Sequence, residues 1–157
     1  MHSRIYQVSE KPVEKFIEEY RYEDSFVGNI ADYVSPVESE SEDYINDLKW
    51  LQSATQGIKV NIKKGTITIT SKEDYFETKH EKFKELLEKL KDITLADFAS
   101  NKNHFDFADL RDSYDNKYEF YIDDNDEYCG LTTLDNWVRN AEENKEYYIG
   151  SIFDYHF

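Results

Sequence analysis

Apolar and polar residues alternate most cleanly between positions 58 and 70. Ile58, Val60 and Ile62 are separated by polar residues, Ile67 and Ile69 repeat the pattern, and Lys63-Lys64-Gly65 lies between the runs. Period-two segments rich in β-branched residues, joined by a short turn containing glycine, predict a β-hairpin. Weaker alternation predicts strands over 4–8, 26–34, 118–122 and 147–157. Lys11-Pro12 breaks the first of these, Ser35-Pro36 the second, and a turn at 123–127 follows the third.

Elsewhere the apolar positions recur at helical spacing. Ile45, Leu48 and Leu51 follow Ser39-Glu40-Ser41-Glu42, and Gly57 supplies a stop, so a capped helix is expected over 39–55. Ser71 with Asp74 caps a longer helix over 72–91, whose expected buried stripe is Phe76, Phe83, Leu86, Leu87 and Leu90. His80 falls between Phe76 and Phe83 and reads as a core or boundary histidine. One or two helical turns are expected over 13–20, and a short helix over 94–99. A helix over 106–115 is expected to turn Phe107, Leu110 and Tyr114 inward. A last helix over 133–142 carries Leu134, Trp137, Val138 and Ala141 on one face. Strands and helices mix without regular βαβ alternation. The expected fold is therefore α+β: one domain over 1–157, with helices packed on an antiparallel or mixed sheet.

Composition narrows the class. The 157 residues include 16% aromatics, 13 Tyr and 10 Phe among them, which sets the chain apart from acidic disordered sequences. One cysteine, Cys129, excludes an intramolecular disulfide and fits a reducing compartment. The first residues lack the apolar core of a signal peptide, and no apolar run reaches membrane-spanning length, so a cytoplasmic location is expected.

Charge changes the picture further, because the net value of −15 is unevenly spread. Residues 1–58 carry 5 basic and 12 acidic groups, residues 59–91 carry 9 and 6, and residues 92–157 carry 5 and 16. Such a field repels nucleic acid and anionic membranes and attracts basic protein surfaces. Two acidic faces are the candidate binding surfaces. One is Glu38, Glu40, Glu42, Asp43 and Asp47. The other is Asp106, Asp109, Asp112 and Asp115, spaced by three, continuing into Asp123, Asp124, Asp126 and Glu127.

Candidate chemistry is sparse. No phosphate-binding glycine loop, nucleophile elbow or zinc spacing occurs, and no cofactor is expected. The acids at 123–127 miss the register of a calcium loop. Asp154 and His156 share a strand face, the minimum for a carboxylate-oriented imidazole, and His104 with Asp106 repeats the form. One internal echo stands out: Gly28, Ile30, Asp32 and Tyr33 match Gly150, Ile152, Asp154 and Tyr155 at identical spacing. It predicts two strands of one sheet.

The function expected from these features is an acidic protein-interaction module. Its concrete form is a nucleic-acid-mimicking or immunity-type inhibitor of a basic nucleic-acid-handling protein. The alternatives are a structural acidic protein without catalysis and a small metal-assisted hydrolase built on Asp154 and His156.

Overall fold

The computed structural model describes residues 1–17, 26–124 and 130–157. Its spine is β7 (Glu146–His156), an 11-residue strand paired along both edges. On one edge β1 (His2–Ser9) runs antiparallel to it, from His2 opposite His156 to Ser9 opposite Tyr148. The other edge is shared: β4 (Thr66–Ile69) takes its first residues, and β2 (Tyr33–Val37) takes 152–156. Outward from β4 lies β3 (Ile58–Asn61), which completes the expected hairpin. Outward from β1 lie β5 (Tyr121–Asp123), in parallel, and β6 (Leu131–Thr133), antiparallel to β5. The sheet is therefore mixed, and the α+β expectation holds.

One irregularity shapes the centre. Tyr6 pairs with Ile152 but Val8 with Ile149, so Gly150 and Ser151 together oppose Gln7. The Gln7 Oε1 accepts from the Ser151 amide at 2.9 Å. A Cβ on Gly150 would lie 2.4 Å from that oxygen, which is why the bulge holds a glycine.

Alternation sends side chains to two cores. Tyr6, Val8, Ile122, Ile149 and Ile152 face the helices, where they meet Leu48, Leu51, Tyr75, Leu134, Trp137 and Val138. Ile5, Tyr121, Phe153 and Tyr155 face the other side and pack with Phe26 and Ala31. Leu48 and Leu51 sit on α1 (Glu42–Ala54) and are at most 1% exposed. Each contributes about 1.5–3 kcal/mol of burial. The cap of α1 is Ser41, whose hydroxyl accepts from the Tyr44 amide at 3.1 Å, two residues later than the expected cap at Ser39. In consequence Tyr44 is buried and Ile45 is exposed. Gly57 ends the connection at φ +65°, with its carbonyl accepting from Thr70 and Ser71.

The remaining helices are α2 (Lys72–Leu90), α3 (Leu95–Ala99), α4 (His104–Tyr114) and α5 (Leu134–Asn140). Their N-caps Ser71, Thr94 and Thr133 each accept from an amide three residues on. The stripe of α2 differs from expectation. Tyr75, Leu86 and Leu90 are buried, Phe76 and Phe83 are half-buried, while Leu87 and His80 are exposed. The reason is that α4 covers only part of α2 and has no buried residue of its own, leaving Phe107 and Tyr114 exposed as well. Arg139 of α5 fastens this helical pair, lying 4.8 Å from the Phe76 ring and 4.7 Å from the Tyr114 ring and donating to the Tyr114 carbonyl.

Two strand expectations are corrected. The segment from Phe26 to Ala31 is a turn, with the Phe26 carbonyl accepting from the amides of Asn29, Ile30 and Ala31 and Gly28 at φ +87°. The strand comes later and includes Ser35 and Pro36, tolerated because among the described residues β2 pairs on one edge only. Residues 118–120 precede β5, which extends instead through Asp123. Residues 13–17 are not helical; the rest of the expected 13–20 helix lies outside the described residues.

Candidate functional site

Two polar clusters, each with one cation and two carboxylates, are built on the helix-facing side of the sheet. The first begins at Arg4, which faces Asp154 across the β1–β7 ladder. The guanidinium donates through Nε to Asp47 of α1 at 2.8 Å and through Nη1 to Asp154. It also lies 5.2 Å from the Trp50 ring. A ring nitrogen of His2 donates to Asp154 Oδ2 at 3.0 Å, adding a second donor for that carboxylate. Burial pushes Asp47 above the ordinary carboxylate range, and the bond to Arg4 opposes that rise.

The second cluster joins α2, α5 and the segment before β5. Lys79 Nζ donates to both oxygens of Asp135 at 2.6 and 2.7 Å and to Glu119 Oε1 at 2.6 Å. Tyr75, one turn earlier on α2, donates its hydroxyl to Asp135 Oδ1 at 2.8 Å. Asp135 is fully buried, so its charge depends entirely on these donors. Glu119 is held from behind, where the Tyr155 hydroxyl donates to its main-chain carbonyl. Burial, and next the charge of Asp135, push the Glu119 carboxyl up to about 7, against the pull of Lys79. Burial likewise pushes the Tyr75 phenol far up.

This second cluster opens on a cleft of about 490 Å³. Its polar floor is Tyr75, Lys79 and Glu119, and its aromatic wall is Trp50, Tyr118 and Phe120. Trp50 and Phe120 meet edge to face at 4.8 Å. Size, enclosure by aromatic rings and a few convergent polar groups are the attributes of a ligand site.

The residues singled out from sequence fall differently. Glu38, Glu40, Glu42 and Asp43 are exposed and make no ion pair among the described residues, whereas Asp47 is buried on Arg4 and leaves that surface. Glu38 and Glu40 border a groove of about 690 Å³ whose apolar lining includes Val13, Phe16, Ile17 and Val37. On α4, Asp106 is bound by Lys89 and Asn103 and Asp112 by Arg111, leaving Asp109 and Asp115 without an ion pair among the described residues. Asp123 is buried in β5 and so is no part of an acidic surface turn; Asp124 is exposed; Asp126, Glu127 and Cys129 lie outside the described residues.

The internal echo does not mark two equivalent strands. Gly150 is in a strand but Gly28 is in a turn, so the glycines are not equivalent. The other halves do meet: Tyr33 lies opposite His156 and stacks on it at 5.6 Å, and Val34 lies opposite Tyr155. Asp32 accepts from His156 Nδ1 at 3.0 Å, while Asp154 serves Arg4 and His2. Asp154 and His156 therefore have separate partners and do not form an acid–imidazole pair. Among the described residues, no group of three histidine or acidic side chains is placed to hold a metal ion.

Sequence reasoning missed Tyr75, Lys79, Glu119 and Asp135. Lys79 and Tyr75 are one turn apart on a predicted helix, which was a legible signal for a shared contact. Nothing local marks Glu119 or Asp135 among 34 acidic residues. No family model, curated protein or solved structure matches this chain. No helix among the described residues is long and apolar enough to cross a membrane.

Proposed function

We propose that this chain is an acidic protein-interaction module that occupies the basic surface of a partner protein. The observation that carries this reading is the strip Glu38, Glu40, Glu42 and Asp43: four exposed carboxylates within six residues, with no ion pair among the described residues, beside a groove whose mixed lining includes Val13, Phe16, Ile17 and Lys15. Carboxylates that serve the fold are found inside this molecule, on Arg4 and Lys79. Those of the strip make no ion pair among the described residues, and Glu42 and Asp43 stand in the first turn of α1, where negative charge suits the helix N-terminus. Net charge of −15 supplies the long-range attraction, and the groove supplies apolar area for a docked segment. In its concrete form, the module is an inhibitor that fills the nucleic-acid groove of a basic protein.

The test is capture from native lysate by wild type and by a Glu38→Lys/Glu40→Lys variant, followed by a salt series on the purified pair. Both positions precede α1 and leave its Ser41 cap in place. The expected result is a basic partner whose association slows steeply as salt rises, whose binding the variant loses, and which nucleic acid displaces. Equal capture by the variant, or a flat salt series, removes the strip from the mechanism.

A further inference from the structure

The cleft beside Lys79 has a charge imbalance that points to its ligand. Lys79 brings one positive charge to two carboxylates, and Asp135 already draws on both Lys79 and Tyr75. Glu119 shares the same ammonium with its side chain only 16% exposed, at the wall of an open cleft. One negative charge is therefore left over, and a proton held on Glu119 answers it when nothing else does. An anion entering the cleft meets a surplus of its own sign. A cation meets a desolvated carboxylate and three aromatic rings, the surroundings in which ion pairing and cation–π contact are strongest. A planar cation suits that wall best, because it can stack on a ring while donating in its own plane. The indole of Trp50 already carries the guanidinium of Arg4 at 5.2 Å, so this ring is suited to such contact.

We propose that the cleft between α1, α2 and residues 118–120 binds a guanidinium group, ion-paired with Glu119 and packed against the wall formed by Trp50 and Phe120. The group comes either from an arginine side chain of a protein or from a free small molecule, and both present the same chemistry to the site. This assignment uses none of the Glu38–Asp43 strip, so either proposal can fail alone.

Binding releases the proton of Glu119, so affinity rises with pH across the range where the free carboxyl titrates. The charged and titratable groups facing it are Lys79 and Tyr75 from α2, Asp135 from α5, His2 from β1, Tyr155 from β7, and Tyr118 and Tyr121 on its own segment.

The probes are methylguanidinium, a capped pentapeptide with a central arginine, and the same peptide with neutral citrulline. The readout is the indole N–H resonance of Trp50, with that of the buried Trp137 as an internal control. The expected result is saturable movement of the Trp50 signal by both guanidinium probes and none by citrulline, tightening at least about tenfold from pH 6 to pH 8. Glu119→Gln should remove both the binding and its pH dependence, while a His80→Asn control, at an exposed histidine outside the cleft, keeps them. Peptide binding at least about tenfold tighter than methylguanidinium assigns the source to a protein arginine, and comparable binding to a small molecule. Equal response to citrulline, or movement that does not saturate in wild type, overturns the proposal without any variant having to fold. The Glu38→Lys/Glu40→Lys variant should bind the probes like wild type.

Discussion

The two buried charge clusters start from the same ingredients and end differently. Around Arg4, one guanidinium meets Asp47 and Asp154, and His2 adds a further donor to Asp154. Around Lys79, one ammonium meets Asp135 and Glu119, Tyr75 assists Asp135, and the further side-chain partner of Glu119 is the Asp135 carboxylate, which favours a proton on Glu119. A guanidinium spreads its charge over several N–H groups at fixed angles, so it can satisfy two carboxylates on two elements and still rest on Trp50. An ammonium is a compact charge, and two acids must share it. The first cluster is closed and joins β1, α1 and β7. The second is open toward a cleft, with a carboxyl that sits near neutrality on the pH scale. Both clusters set one cation against two carboxylates, so the difference teaches that a buried cluster is judged by the donors that reach each carboxylate and not by its formal charge.

The largest expected effect breaks the closed cluster. Arg4→Met should cost about 3–5 kcal/mol in urea unfolding, because it strands Asp47 in the interior without its cation. A loss below about 1 kcal/mol would show that Asp47 finds water or a proton instead, and the contrast between closed and open clusters would fail.

The second prediction concerns the open cluster and pH. Folded Glu119 binds its proton up to about 7, while an ordinary glutamate releases it near 4.5, so between those values the folded state holds more protons than the unfolded state. Its contribution to stability is therefore fully present below about 4.5, falls as pH rises, and is gone above about 7. The loss is on the order of 2–3 kcal/mol for a carboxyl this well enclosed. The whole chain also loses stability with rising pH through self-repulsion, so the comparison is with Glu119→Gln. Unfolding of the two proteins at pH 5 and pH 8 should show a shallower slope for the variant. Parallel slopes would mean that folded Glu119 releases its proton where an unfolded glutamate does, and that the open cluster does not hold it.

Smaller again, His2→Ala should cost less than about 1 kcal/mol by thermal melting, since its ring is half exposed and Arg4 continues to serve Asp154. A loss like that of Arg4→Met would make the histidine a full member of the closed cluster. The smallest effect is at the surface. Reversing Asp109 and Asp115 to lysine should move stability by no more than about 0.5 kcal/mol, since neither is ion-paired among the described residues. A larger change would tie the exposed acids to the fold and remove the distinction between carboxylates that build the protein and those free to meet a partner.

Local pattern made much of the fold legible. The 58–70 hairpin, the Ser71 cap and the closing strand are written in short-range spacing, where backbone geometry and neighbouring side chains decide the outcome. The turn at Phe26–Ala31 was not legible, since its apolar residues suit a strand equally well and only packing on Tyr121 and Tyr155 selects the turn. The stripe of α2 failed at Leu87 for a related reason: periodicity gives the face of a helix but not how far along it the next element reaches.

By itself, then, the sequence determined the hairpin, the start of the Lys72–Leu90 helix, the α+β class and a strongly acidic composition, each a property of neighbouring residues or of simple sums. Tertiary structure alone decided which acids are exterior. Asp47, Asp123 and Asp135 are buried while Glu38, Glu40 and Asp109 are exposed, although all are short polar residues in polar surroundings along the chain. For two of these buried acids a cation from a distant element is the partner: Arg4 meets Asp47 across 43 positions and Lys79 meets Asp135 across 56. No local pattern encodes such a meeting, because its energy arises only when the sheet has brought the two elements together.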